Sequence, residues 1–139
     1  MTASLQGRVA IVTGAAGALG AAVVNRFAEL GATVAQLDVV ALDNEHYADV
    51  CDLTDADDCA RAVAAISDSL GGVDVLANIA GGFAMAPLGE TPGAEFERLM
   101  RMNALTCFNA CREAAARMGE RGGRLVNVTA RPALVPTGA

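Results

Sequence analysis

Lysine is absent from this sequence: all ten basic residues are arginine. Tryptophan is absent as well. Tyrosine and histidine occur once each, at Tyr47 and His46, and serine only at Ser4, Ser67 and Ser69. Each scarcity removes a class of chemistry. A Walker phosphate loop needs a lysine after its glycines and is excluded. A serine nucleophile elbow needs G-x-S-x-G, which none of the three serines supplies. A single histidine cannot build a His-clustered metal hydrolase. The four cysteines (Cys51, Cys59, Cys107 and Cys111) include no C-x-x-C pair. They read as buried thiols of a cytosolic protein, ahead of metal ligands or disulfides, and no metal site is expected.

The net charge of −6 and the scattered arginines argue against a nucleic-acid surface. The longest uncharged apolar stretch, residues 9–24, is short for a membrane span and is broken by Thr13, Gly14, Gly17 and Gly20. Residues 1–8 lack the basic and apolar regions of a signal peptide. The expectation is therefore a cytoplasmic protein with neither a membrane nor a nucleic-acid partner. A 53% hydrophobic and 19% charged composition is that of a folded chain with a real core.

Short apolar runs alternate with helical periods. Residues 8–13, 33–37, 73–79 and 124–128 predict strands, with a weaker one at 46–50. Residues 19–30 predict a helix with Leu19, Val23, Phe27 and Leu30 on one stripe. A second helix is expected from an N-cap at Thr54 through Cys59, Val63, Ile66 and Leu70. A third is expected from an N-cap at Thr91, with Pro92 in first position, to Met118; Phe96, Leu99, Asn103, Cys107, Ala110, Ala114 and Met118 form one side of it. Strands alternating with helices imply one α/β domain over 1–139: a Rossmann-type doubly wound parallel sheet with helices on both faces, the sequence ending after the fifth strand.

Between the first strand and first helix runs Thr13-Gly14-Ala15-Ala16-Gly17-Ala18-Leu19-Gly20. Gly14 permits a sharp turn, the small residues Ala16, Gly17 and Ala18 admit a diphosphate to the backbone, and Gly20 lets the helix pack closely. The helix start, including Leu19, offers N–H groups and a positive dipole end. Alone, such a cluster also fits an ordinary tight turn. Eighteen residues after Gly20, however, Asp38 ends the next strand. Its carboxylate suits both ribose hydroxyls of an adenosine and repels a 2′-phosphate, which predicts NAD over NADP; the bland reading is a solvated loop carboxylate.

These residues resemble the short-chain dehydrogenase/reductase family across the whole chain. The turn is similar to that family's T-G-x-x-x-G-x-G, with Ala18 at the middle glycine. Cys51-Asp52-Leu53-Thr54 resembles the turn in which the family's Asp carboxylate and the next N–H meet adenine, implicating Asp52 and Leu53. Asn78-Ile79-Ala80-Gly81 resembles N-N-A-G, with Asn78 bracing the central strands and Ala80 and Gly81 giving the cofactor ribose room. Asn103 resembles the family's catalytic Asn, whose usual role is to bend its helix and hold a water linked to a lysine; the bland alternative is a buried Asn bonded to backbone. The segment 123–130 resembles G-x-I-V-N-I-S-S, and Val128 belongs with the cofactor contacts. Ala130 stands where that motif has its substrate-binding Ser. Thr129 supplies a neighbouring hydroxyl, turned away unless the register shifts by one. Arg131 is either a contact for an anionic substrate group or an ordinary solvated arginine.

The resemblance implies an NAD-dependent oxidoreductase that moves hydride between nicotinamide and an alcohol or ketone, assembled as a homodimer or homotetramer through its long helices. The family's acid/base motif Tyr-x-x-x-Lys is missing. The expectation is that the sequence is the cofactor half of a longer polypeptide, cut before that motif and inactive alone. The alternative is a non-catalytic dinucleotide-binding or interaction module.

Overall fold

A computed structural model describes residues 4–130. Five strands form one wholly parallel sheet: β1 (Val9–Thr13), β2 (Thr33–Asp38), β3 (Tyr47–Val50), β4 (Val75–Asn78) and β5 (Arg124–Asn127), in the spatial order β3-β2-β1-β4-β5. Every residue of β1 is buried, as an uninterrupted apolar strand at the centre of a parallel sheet must be. Helix α1 (Ala18–Glu29) covers one face, where Val24 packs with Val12, Val34 and Ala77. Helices α2 (Ala56–Leu70) and α4 (Thr106–Met118) cover the other, where Cys59, Val63, Ile66, Ala110 and Ala114 meet Ile11, Leu37 and Leu76. A shorter helix, α3 (Gly93–Met100), precedes α4. This is the doubly wound Rossmann-type arrangement. The chain passes outward from β1 to β3 and then returns to the far side of β1, so the strand order reverses between β1 and β4. The carboxyl ends of those two strands are where such folds open a crevice.

Several boundaries differ from expectation for local reasons. The α2 N-cap is Asp55, whose carboxylate accepts from the N–H groups of Asp57 and Asp58 at 2.9 and 3.0 Å. Thr54 instead donates its hydroxyl to Asp52 Oδ1 at 2.8 Å. A carboxylate outcompetes a hydroxyl here because it also meets the helix dipole. Thr91 donates to the Pro87 carbonyl at 3.0 Å, closing the 3₁₀ turn Leu88–Glu90, so α3 begins after Pro92. β4 stops at Asn78 because the next two N–H groups, of Ile79 and Ala80, donate to Thr13 Oγ1 at 3.0 and 3.1 Å. The buried stripe of α1 runs through Gly20 and Val24, one residue off the expected one, and leaves Leu19 exposed.

The expected single helix to Met118 is broken by a π turn, Arg101–Leu105. Asn103, within it, donates Nδ2 to Leu99 O at 2.9 Å, and Thr106, just after it, donates Oγ1 to Met102 O at 2.8 Å. Both side chains compete with the backbone for the acceptor four residues back, and the wider turn inserts a residue into the helical register. The buried face of α4 therefore becomes Thr106, Asn109, Ala110, Ala114 and Met118, while Asn103 and Phe96 stay exposed and Cys107 is only half-buried. All of β5 is exposed, with Leu125, Val126 and Val128 on the surface. No helix among the described residues is long and apolar enough to cross a membrane.

Candidate dinucleotide cleft

The crevice at the switch point is a cleft of about 720 Å³. One wall is the turn after β1. Gly14 adopts φ 67°, its N–H donates to Leu37 O at 2.9 Å, and a Cβ there would stand 2.8 Å from the backbone of Ala80. The turn can lie against the end of β4 only because that position is glycine. Gly20 is buried beneath the turn, where a Cβ would strike Gly14 O. The α1 N-cap is Gly17, which has no side chain to cap the helix, and no acidic residue occupies the first turn. Ala21 is the first residue whose N–H reaches an acceptor of the helix, Gly17 O at 2.9 Å. Ala18, Leu19 and Gly20 come before it, and all three line the cleft. The cleft thus has open N–H donors and an uncompensated positive dipole end.

Asp38 closes one side. Its Oδ2 accepts from Ala16 N–H at 2.9 Å and its Oδ1 from Val40 N–H at 3.2 Å, which holds the carboxylate beside the turn at the rim. Ala16 reaches the site only through this backbone contact; its side chain is outside the lining. Asp52 and Leu53 line the next stretch. Asp52 Oδ1 is taken by Thr54, through N–H at 2.9 Å and hydroxyl at 2.8 Å, while the Leu53 carbonyl accepts from buried Asn109 Nδ2 at 2.9 Å. Cys51 lies at the floor, and burial pushes its thiol up to about 12, so it is a neutral wall group. The neighbouring Asp58 carboxyl is held below its ordinary value, first by the Asp52 N–H and then by Arg61.

Ala80 and Gly81 complete the β4 side of the lining. The other sequence-derived candidates stand apart. Asn78 is buried and does not line the cleft: its Nδ2 donates to Asn127 Oδ1 at 2.8 Å and to Cys111 Sγ at 3.2 Å, tying β4 to β5 and α4. It ties the strands together from outside the cleft lining. Asn103 is also outside the lining. Its amide clamps Gly82, accepting from the N–H at 3.1 Å and donating to the carbonyl at 3.0 Å. Val128 extends the sheet by donating to Asn78 O at 3.0 Å; it, Thr129 and Ala130 are exposed beyond the cleft lining. Arg131 and residues 132–139 lie outside the described residues.

The lining residues contributed by the long helical segment, Arg98, Arg101, Met102 and Thr106, had no forecast as site residues from the sequence. The spacing of 98, 102 and 106 is a helical stripe, but the expected register placed Asn103 on the inner side. Arg98 is held by Glu95 through two bonds of 2.8 and 2.7 Å. Among the described residues, no cluster of three or more His, Cys, Asp or Glu groups is placed to hold a metal ion.

A parallel doubly wound sheet with a glycine turn, an open helix start and a carboxylate at the second strand tip has the anatomy of a dinucleotide site. The short-chain dehydrogenase family model matches residues 8–138. The chain belongs to the short-chain dehydrogenase/reductase family. It is 33% identical to D-threitol dehydrogenase of Mycolicibacterium smegmatis, over 94% of this chain and 55% of that protein. It is 35% identical to 2-(R)-hydroxypropyl-CoM dehydrogenase of Xanthobacter autotrophicus, over 92% of this chain and 58% of that one. The ligand-free aldohexose dehydrogenase of Thermoplasma acidophilum superposes with a TM-score of 0.90 at 27% identity, covering 96% of this chain and 53% of the other. The chain spans about half the length of the curated relatives it matches. Fold and family together support a nicotinamide dinucleotide as cofactor.

Proposed function

We propose that this chain is the NAD-binding part of an oxidoreductase that exchanges hydride between a nicotinamide and an alcohol or ketone. The observation that carries the reading is Asp38 held at the rim beside the turn, 2.9 Å from Ala16 N–H, with the α1 N-terminus open behind it. The donor set fits the group. The N–H groups of Ala18, Leu19 and Gly20 bind the diphosphate, Asp38 accepts from the adenosine ribose hydroxyls, Asp52 and Leu53 border the base, and Ala80 and Gly81 leave room for the nicotinamide ribose. When bound, the nicotinamide supplies the hydride donor or acceptor. Asn103, by pinning Gly82, orients the segment that follows the cleft.

A 2′-phosphate at Asp38 sets two negative charges together, which costs several kcal/mol. In a fluorescence titration of the chain, NADH binds at least tenfold more tightly than NADPH. Tighter binding of NADPH overturns the assignment.

The chain itself contains no lysine, and its one tyrosine lies on β3, at the sheet edge opposite β5. It therefore lacks the paired acid/base of the family reaction, and alone it turns over no NADH with a panel of ketones. Ala130 at the motif's Ser position favours a second reading, a dinucleotide-binding module without catalysis. Tyr-x-x-x-Lys in a longer polypeptide decides for the first. Self-association through the exposed side of α3 and α4, where Phe96, Met100 and Phe108 stand, is part of the proposal, as is a cytoplasmic location.

A further inference from the structure

Cys107 and Cys111 stand one helical turn apart on α4, half-buried and free of any disulfide. Neither lines the dinucleotide cleft. Side chains four residues apart on a helix share a face. The two thiols accordingly sense each other: burial, and then the neighbouring Cys111 thiol, hold Cys107 above the ordinary thiol value.

Cys111 is fixed from its other side by a buried amide. Asn78, only 5% exposed, donates Nδ2 to Cys111 Sγ at 3.2 Å and to Asn127 Oδ1 at 2.8 Å. Its own Oδ1 has no hydrogen-bond partner among the described residues. The amide is therefore oriented by what its N–H groups reach, and one of them is aimed at sulfur. Cys111 in turn donates to Asn127 Oδ1 at 3.6 Å. An N–H donor on sulfur favours the thiolate, which is the form that binds metal.

The pair suits a bridging ion better than a disulfide. Cβ atoms at this helical spacing are about 5–6 Å apart, whereas a disulfide holds them at roughly 3.8 Å. Among the described residues, no cluster of three or more His, Cys, Asp or Glu groups surrounds an ion. Two sulfurs fall short of the tetrahedral set that structural zinc takes. Thiolate ligands in low number suit a soft ion, Cu(I).

We propose that Cys107 and Cys111 form a two-coordinate site for Cu(I). The ion takes both sulfurs as thiolates and their protons leave to solvent; nothing is oxidised or reduced. The Asn78 N–H then supports the negative charge left on Cys111 Sγ.

The test is anaerobic competition for Cu(I) between the reduced chain and bicinchoninate, using wild type, Cys107→Ser and Cys111→Ser. A serine hydroxyl replaces the thiol in the contacts with Asn78 and Asn127, so the variants keep the wild-type thermal melt. Wild type takes one Cu(I) per chain, and the bound ion protects Cys107 and Cys111 from iodoacetamide. Each serine variant weakens binding by about a hundredfold or more, since a direct ligand counts for more than an outer-shell partner. A wild-type chain that leaves all Cu(I) with bicinchoninate overturns the proposal. So does a serine variant that binds as wild type does, which would place the ion elsewhere. Zinc that displaces Cu(I) on equal terms overturns the two-coordinate assignment.

Discussion

In the proposed site, Asp38 serves twice with one carboxylate. It steadies the phosphate turn through Ala16 N–H, and it presents its remaining lone pairs to the cleft. Removing it therefore relaxes both the turn and the ribose contact. Asp38→Ala weakens NADH by about 1.5–3 kcal/mol, the worth of hydrogen bonds to a charged group, or roughly ten- to a hundredfold in Kd. NADPH loses far less, because its 2′-phosphate is freed from repulsion, and the preference between the two cofactors collapses. Parallel titrations of the variant check this; retained discrimination would place the selectivity elsewhere. Asp38 was legible in the sequence because a strand end and a carboxylate coincide at a fixed distance from the glycines. Arg101 was not. Its entry into the cleft depends on the π turn, and nothing in the spacing of apolar residues announces an inserted residue.

At the scale of elements, the same contrast holds. The strands were legible because buried parallel strands are near-continuous apolar runs, as β1 is from Val9 to Val12. Helix starts were harder, since several acceptors compete for the same N–H groups; Asp52-Leu53-Thr54-Asp55 offers three, and the cap falls to the last. The joint between β1 and β4 relies on a carboxylate just before β4. Asp74 accepts from Val9 N–H at 2.9 Å and from Arg8 at 3.1 Å. That backbone bond, and then Arg8, hold its carboxyl below the ordinary carboxylate value. A folded-state pKa below the unfolded one contributes stability above the unfolded value, about 4, and that contribution is lost as pH falls through the folded one. Urea unfolding followed from pH 7 down to pH 3 accordingly shows stability falling below about pH 4. Asp74→Asn starts less stable and shows a shallower acid slope. An unaltered slope would mean that other carboxylates dominate.

The whole molecule divides its cysteines by depth. Cys51 and Cys59 sit in the core between the sheet and α2, where burial pushes their thiols up to about 12 and about 11. Cys107 and Cys111 lie half-buried on α4. Iodoacetamide at pH 8 therefore leaves Cys51 and Cys59 unmodified in the native chain and alkylates all four in denaturant, as read by peptide mass spectrometry. Early labelling of Cys59 would contradict the packing of α2 on the sheet.

The layered sheet also sets where the proposed dinucleotide site lies: among the described residues, the β1/β4 switch point gathers the glycine turn, Asp38 and Leu53 around one cleft. The most direct measurement is backbone amide NMR of the nitrogen-15-labelled chain during titration with NAD. Saturable shifts are expected at Ala16–Gly20, Asp38–Val40 and Leu53, with the outer face of α1 and the turn at Gly119–Arg121 unmoved. Shifts centred on β5 or the outer face of α4, or no saturation at all, would contradict it.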